Sequence, residues 1–200
     1  MRKTTITIAV LVLLTLGYAG WPFYDLYRFV GAVDRGDVAA IMRAVDFAAV
    51  RQSLAAQIVT AYLRRSGTRL NPLAQNAAMA VAGSLADPLL ARIMTPEAFL
   101  DFLKNGWPTA TLPDSGPLGT AGISRNALGT AWQTFANSEY GFGRFDVVVP
   151  IAAPPDRQFQ LRFRLSKWQW QLKAIRLSGP VQDQLADELI KSLKPPSPPP

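Results

Sequence analysis

The sequence predicts an α+β fold: an N-terminal transmembrane helix, then a helical half packed on a small antiparallel β-meander, with a C-terminal helix. Three observations carry this reading. Residues 4–21 contain no charged side chain. From residue 22 to about 105, apolar residues recur at helical spacing, and beyond residue 145 the period drops to two, as in half-buried strands. The boundaries that follow are an anchor over 1–21, an extracytoplasmic domain over 22–194, and a proline-rich disordered tail over 195–200. Within the domain the helical part is 22–105, a flexible loop 106–126, and the sheet with its closing helix 127–194.

The stretch from Thr4 to Trp21 is 18 residues long, near the lower end of the roughly 17–25 that span a bilayer as a helix. Arg2 and Lys3 precede it, which predicts a cytoplasmic N-terminus and a translocated remainder. Trp21, Phe23, Tyr24 and Tyr27 follow at once, as amphipathic rings at the outer membrane interface do. The rival is a signal peptide cleaved near Ala19, because Gly17-Tyr18-Ala19 places small residues where a signal peptidase reads them. The Leu- and Val-rich run and the crowding by Trp21-Pro22 favour the uncleaved anchor. The expected location is therefore the inner membrane, single-pass, with the C-terminal domain in the periplasm; the alternative is release to the periplasm.

Pro22 suits the first turn of a helix, so the anchor is expected to end there and a second helix to begin. Leu26, Phe29, Val30 and Val33 form its apolar stripe, Gly36 its left-handed end, and Asp37 the cap of a short helix carrying Ile41 and Val45. Asp46 caps a longer helix through Val50, Leu54, Ile58 and Ala61. After a Ser66-Gly67 turn, Leu73 to Leu85 reads as an alanine-rich helix, and Pro88 as the start of another short element. Thr95-Pro96-Glu97 is a strong helix start and Gly106 its stop. Residues 105–126 hold four glycines and three prolines and read as a mobile loop. Phe145–Val149 is a strand. Phe159, Leu161, Phe163 and Leu165 alternate with polar residues, as do Trp168, Trp170 and Leu172, with a bulge expected near Ala174 where the parity reverses. Val181–Leu193 is the final helix.

Composition narrows the chemistry. Of 200 residues none is cysteine and none histidine, which excludes disulfides, thiolate metal sites, cysteine nucleophiles and every serine–histidine–aspartate arrangement. Neither a cofactor nor a metal site is expected. With Arg2 and Lys3 set aside, the basic surplus over the 14 acidic residues is about +5, too scattered for nucleic-acid binding. It is compatible with anionic lipid, for which Arg162, Arg164 and Lys173 on the polar sheet face are the candidates. Ser66-Gly67 and Ser115-Gly116 lack the strand–turn–helix setting of an activated serine.

The motif Tyr18-x-x-Trp21-Pro22-Phe23-Tyr24-x-Leu26-Tyr27, with Ala32, Gly36-Asp37 and Val45-Asp46-Phe47-x-x-Val50-Arg51-x-Ser53-Leu54, resembles an uncharacterised bacterial family, domain-of-unknown-function family 2939. Met94-Thr95-Pro96-Glu97, Leu103 and Gly106 fit its later helix. The resemblance covers most of residues 18–180 and implies an exported or membrane-anchored protein of Gram-negative type, without an activity. The closing Trp168-x-Trp170-x-Leu172-x-x-Ile175 is similar to the last hairpin of cone-shaped folds of the nuclear-transport-factor-2 type.

Two pairs of residues stand out as candidate ligand or partner contacts. Asp46 and Arg51 could mark a pocket mouth, against the simpler reading of a helix cap whose carboxylate, or that of Asp37, pairs with the arginine. Trp168 and Trp170 could line a cavity on the inner sheet face, against the simpler reading of core. The expected function is a non-enzymatic envelope module binding an envelope protein or an apolar small molecule between sheet and helices. The alternative is an envelope enzyme using carboxylates, drawn from Asp37, Asp46, Glu97, Asp101, Glu139 and Asp146.

Overall fold

The computed structural model describes residues 2–65, 77, 82–109, 111, 112 and 122–193, with backbone alone at 2, 3 and 16. The expected turn at Ser66-Gly67, Ser115-Gly116, most of the alanine-rich stretch and the proline tail lie outside the described residues.

Helix α1 runs from Arg2 to Arg35 without a break, through Pro22. The expected break of the helix at this proline is therefore corrected. Proline has no N–H, so the carbonyl of Tyr18, four residues back, loses its helical donor. The hydroxyl of Tyr140 donates to that carbonyl instead, at 3.1 Å. A helix can continue through proline where a neighbour satisfies the freed oxygen in this way.

One helix thus has two environments. Ile6, Ile8 and Val10 to Leu14 are exposed, whereas Leu26, Phe29, Val30 and Val33 are fully buried. Each of those four contributes about 1.5–3 kcal/mol by leaving water. Gly36, at φ 72°, closes α1 in the left-handed conformation that a side chain disfavours. Asp37 caps α2 (Val38–Ala44), accepting from the Ala40 N–H at 3.0 Å. Helix α3 (Phe47–Arg65) buries Val50, Leu54, Ile58 and Ala61, the stripe the spacing predicts. Helix α4 (Ala82–Ile93) contains Pro88 in its interior, so Pro88 does not start a separate element. Helix α5 (Pro96–Asn105) has the expected Thr95 cap and the left-handed Gly106 end.

The loop expectation holds only in part. Trp107, Leu112 and Ile123 are buried in the core, so these points are packed rather than mobile. Two short helices follow that periodicity does not show: α6 (Arg125–Leu128) and α7 (Ala131–Ala136). They are capped by Ser124 and by a Thr130–Gln133 capping box.

The sheet is a four-stranded antiparallel meander in the order β1 (Ser138–Gly141), β2 (Arg144–Val149), β3 (Phe159–Ser166), β4 (Gln169–Arg176). Phe145, Val147, Val149, Leu161, Phe163, Trp170, Leu172 and Ile175 face inward, where α1 and α3 cover them. Phe29 of α1 meets Phe163 edge-on at 5.6 Å, and Phe23 meets Phe145 at 4.8 Å. The expected bulge is present: Arg162 opposes Ala174 while Phe163 opposes Leu172, leaving Lys173 as the extra residue. The free edge of β4 is covered by the chain's own backbone and side chains. Val45 forms a parallel bridge to Leu172, the Asp46 N–H donates to the Leu172 carbonyl at 2.9 Å, and the Gln57 amide bonds both the Ile175 carbonyl and the Leu177 N–H. Helix α8 (Gly179–Leu193) packs on α3, with Arg64–Asp183 and Arg65–Asp187 ion pairs at its rim.

Candidate functional site

The four residues singled out in the sequence do not converge. Asp46 caps α3 through the Ala49 N–H at 3.0 Å and binds the Lys173 ammonium. Arg51 pairs with neither Asp46 nor Asp37 but with Asp87 on α4, at 2.7 Å and half exposed. Trp170 is core, as the simpler reading expects, and Trp168 is not on the inner face at all. Trp168 sits with Lys167 in the two-residue turn between β3 and β4, where its side chain is 78 % exposed.

The bulge explains Lys173. An extra residue swings its side chain off the sheet's outer face toward the α2–α3 junction, where Asp46 waits. The Lys173 hydrogen bond, helped by the Ala49 N–H, holds the Asp46 carboxyl below its ordinary value of 3.8. A depressed folded-state value means the stabilisation is complete above 3.8 and is lost as pH falls through the lower value. Asp46→Asn should therefore remove part of the acid limb of an unfolding-versus-pH curve while leaving the neutral-pH fold intact. Identical limbs in variant and parent would contradict the pairing.

On the outer face, Asp146 is the one buried charged side chain among the described residues. Arg162 grips it with contacts of 3.0, 3.0 and 2.8 Å, and Arg144 lies 3.8 Å away. The grip raises the Arg162 pKa, so this guanidinium stays charged. Of the three cations expected to meet lipid, Arg162 and Lys173 are thus engaged by carboxylates, while Arg164 is exposed. The other carboxylates considered for catalysis are spread over the α2 cap, α5 and β1. Asp37 is a cap, Asp101 accepts from Asn105 and Thr109, and Glu97 lies in the first turn of α5. Glu139 faces Arg144 at 3.8 Å.

Among the described residues, the helices and the inner sheet face share one hydrophobic core. The cavity lined by Phe102, Leu103, Gly106, Ile123, Phe159 and Ile175 has a volume of about 10 Å³, room for one water at most. Phe29 of α1 packs on the inner sheet face, where the groove for an apolar small molecule is expected.

What the fold does bring together is a set of rings around α1 where it leaves the body. Trp21 stacks on Trp168 at 6.4 Å and 15° between planes. Phe23 lies 5.8 Å from Phe135 of α7, and Tyr18 meets Tyr140 edge-on at 6.4 Å. Of the four interface rings expected on α1, Trp21, Phe23 and Tyr27 lean on the core and Tyr24 points outward, with Arg28 over its ring at 5.7 Å. Burial raises the pKa of the Tyr140 hydroxyl, which keeps it a donor to the Tyr18 carbonyl. Tyr140→Phe removes that donor beside Pro22. The expected loss is about 1 kcal/mol in unfolding free energy, and an unchanged value would show that the carbonyl needs no partner.

These features define a class: an α+β body built around the inner half of one long helix whose outer half is apolar and exposed. Residues 11–101 match the family described as "Protein of unknown function (DUF2939)". The match contains the helix from Leu11 through the core stripe, the Asp46–Arg51 block and Thr95-Pro96-Glu97, and ends before the sheet. No curated protein and no solved structure matches the chain.

Proposed function

We propose that α1 anchors this protein in the inner membrane of a bacterial envelope through residues 4–21, with the N-terminus cytoplasmic and residues 22–194 folded in the periplasm as a non-enzymatic interaction module. The observation that carries the reading is the exposure of Ile6, Ile8 and Val10–Leu14 on a helix that is long and apolar enough to cross a membrane. In water such a stripe is unfavourable at about 25 cal/mol per Å², and a bilayer removes that penalty. Arg2 and Lys3 supply the orientation. Retention of the segment is favoured over cleavage near Ala19, because the Tyr18 carbonyl and ring both engage Tyr140 of the body.

A module of this kind works by its surface, and the packing of α1 on the inner sheet face supports that reading. Paired reporter fusions after Leu193, one active only in the cytoplasm and one only in the periplasm, test the topology. Activity of the periplasmic reporter alone is expected. Activity of the cytoplasmic one would overturn the orientation.

A further inference from the structure

We infer that the folded body has a second, sheet-borne contact with the lipid bilayer: an aromatic collar of Trp132, Phe135, Phe142 and Trp168 that sits at the headgroup–acyl boundary around the exit of α1. The inference rests on the anchor reading above and extends it from the helix to the domain.

The meander places two of its turns at one end of the sheet. The β1–β2 turn carries Phe142, the β3–β4 turn carries Lys167-Trp168, and the Leu165 N–H donates to the Gly143 carbonyl at 3.0 Å, tying the two turns together. This is the end at which α1 leaves, as the Trp21–Trp168 stack and the Tyr18–Tyr140 contact show. Helix α7 adds Trp132 and Phe135, stacked on each other at 5.7 Å beside Phe23. Exposure of these rings is 100 % at Phe142, 78 % at Trp168, 72 % at Trp132 and 57 % at Phe135. Scattered exposed apolar residues need no explanation, but four large rings gathered at one end of the body mark a contact surface.

The occupant follows from the length of α1. At 1.5 Å per residue, the 18 residues from Thr4 to Trp21 cover about 27 Å, close to the thickness of the hydrocarbon core. With Arg2 and Lys3 at one face of the bilayer, Trp21 reaches the other face, and the rings packed around residues 18–23 lie at the same depth. Tryptophan favours that layer. Exposed Lys167, beside Trp168 at the tip, adds a charge suited to anionic headgroups.

The backbone of the tip points the same way. Lys167 and Trp168 have φ of 49° and 63°, the two positive values of a tight hairpin turn that ordinarily takes Asn-Gly. Left-handed backbone costs about 1 kcal/mol or more at each such residue. The strain sets a tryptophan at the foremost point of the sheet, where one face stacks on Trp21 and most of the ring stays exposed.

The absence of cysteine makes the test direct. Single cysteines are introduced in the full-length chain as Phe142→Cys and Trp132→Cys, with Leu11→Cys inside the anchor and Asp156→Cys in the exposed turn at the opposite end of the sheet. Each is labelled with an environment-sensitive fluorophore and reconstituted in vesicles of phosphatidylethanolamine and phosphatidylglycerol, with or without lipids brominated on the acyl chains. The expected result is a blue-shifted, bromolipid-quenched signal at 11, 142 and 132 and none at 156. Quenching at 11 but not at 142 or 132 would overturn the collar and leave the anchor standing. A signal unquenched at 11 as well would overturn the anchor reading itself. A label at 142 that is blue-shifted but unquenched, with Phe142→Cys forming a disulfide-linked dimer, would assign the surface to a second copy of the chain and overturn the lipid contact.

Discussion

Phe163→Ala lowers the stability of the body by about 3–5 kcal/mol. Phe163 is buried at the centre of the inner sheet face, with Phe29 of α1 on one side and Phe145 of β2 on the other, at 5.6 and 6.3 Å. It therefore joins the helix that leaves the body to the sheet that covers that helix. Truncation opens a cavity between two rigid layers that cannot close on it. The loss is a large part of the roughly 5–15 kcal/mol by which a domain of this kind is stable. Phe163→Leu keeps most of the volume and should cost under about 2 kcal/mol. Urea unfolding in mild detergent measures both. Equal losses for the two variants would mean that shape at this site matters little and that α1 is not held through the ring.

Arg162→Leu should cost about 3 kcal/mol. The figure belongs at the low end of the range for a broken buried pair, because the arginine is itself two-fifths exposed while the Asp146 side chain is fully enclosed. The variant leaves a buried carboxylate with Arg144 alone at 3.8 Å. The penalty comes from the stranded charge rather than from the lost attraction. The double variant Asp146→Leu with Arg162→Leu should therefore be more stable than Arg162→Leu by at least 1 kcal/mol. Arg164→Leu, at an exposed site two residues along the same strand face, should change stability by less than about 0.5 kcal/mol. A double variant as unstable as the single one would contradict this account of Asp146.

Much of this architecture is legible in the sequence, because period and capping are local signals. The buried stripe of α1, the Asp37, Asp46 and Thr95 caps, the Gly36 and Gly106 ends and the alternation of β3 are all read from residues within a few positions of one another. What is missed depends on partners distant in the chain. Pro22 reads as a break because its remedy, Tyr140, lies 122 residues from Tyr18. Arg51 reads as the partner of Asp46 or Asp37, but the fold brings Asp87 to it instead and delivers Lys173 to Asp46.

Trp168 is misplaced for a different reason. It has the same parity as Trp170 and Leu172, so alternation extends the strand back to it, and Lys167-Trp168 contains none of the glycine or asparagine that would announce a turn. The same omission hides the aromatic collar. Trp132 and Phe135 lie on a six-residue helix whose signal is the Thr130–Gln133 capping box rather than a period. Their neighbourhood with Phe142 and Trp168 exists only once the meander has folded. The candidate site was thus legible on α1 and illegible on the sheet.

The central claim is that one helix serves as both membrane anchor and core element, uncut. The intact mass of the protein recovered from carbonate-washed membranes tests it most directly. The expected result is a chain that stays in the washed membranes at a mass that retains residues 4–19. A chain found in the wash and shortened to begin at Gly20 would contradict it.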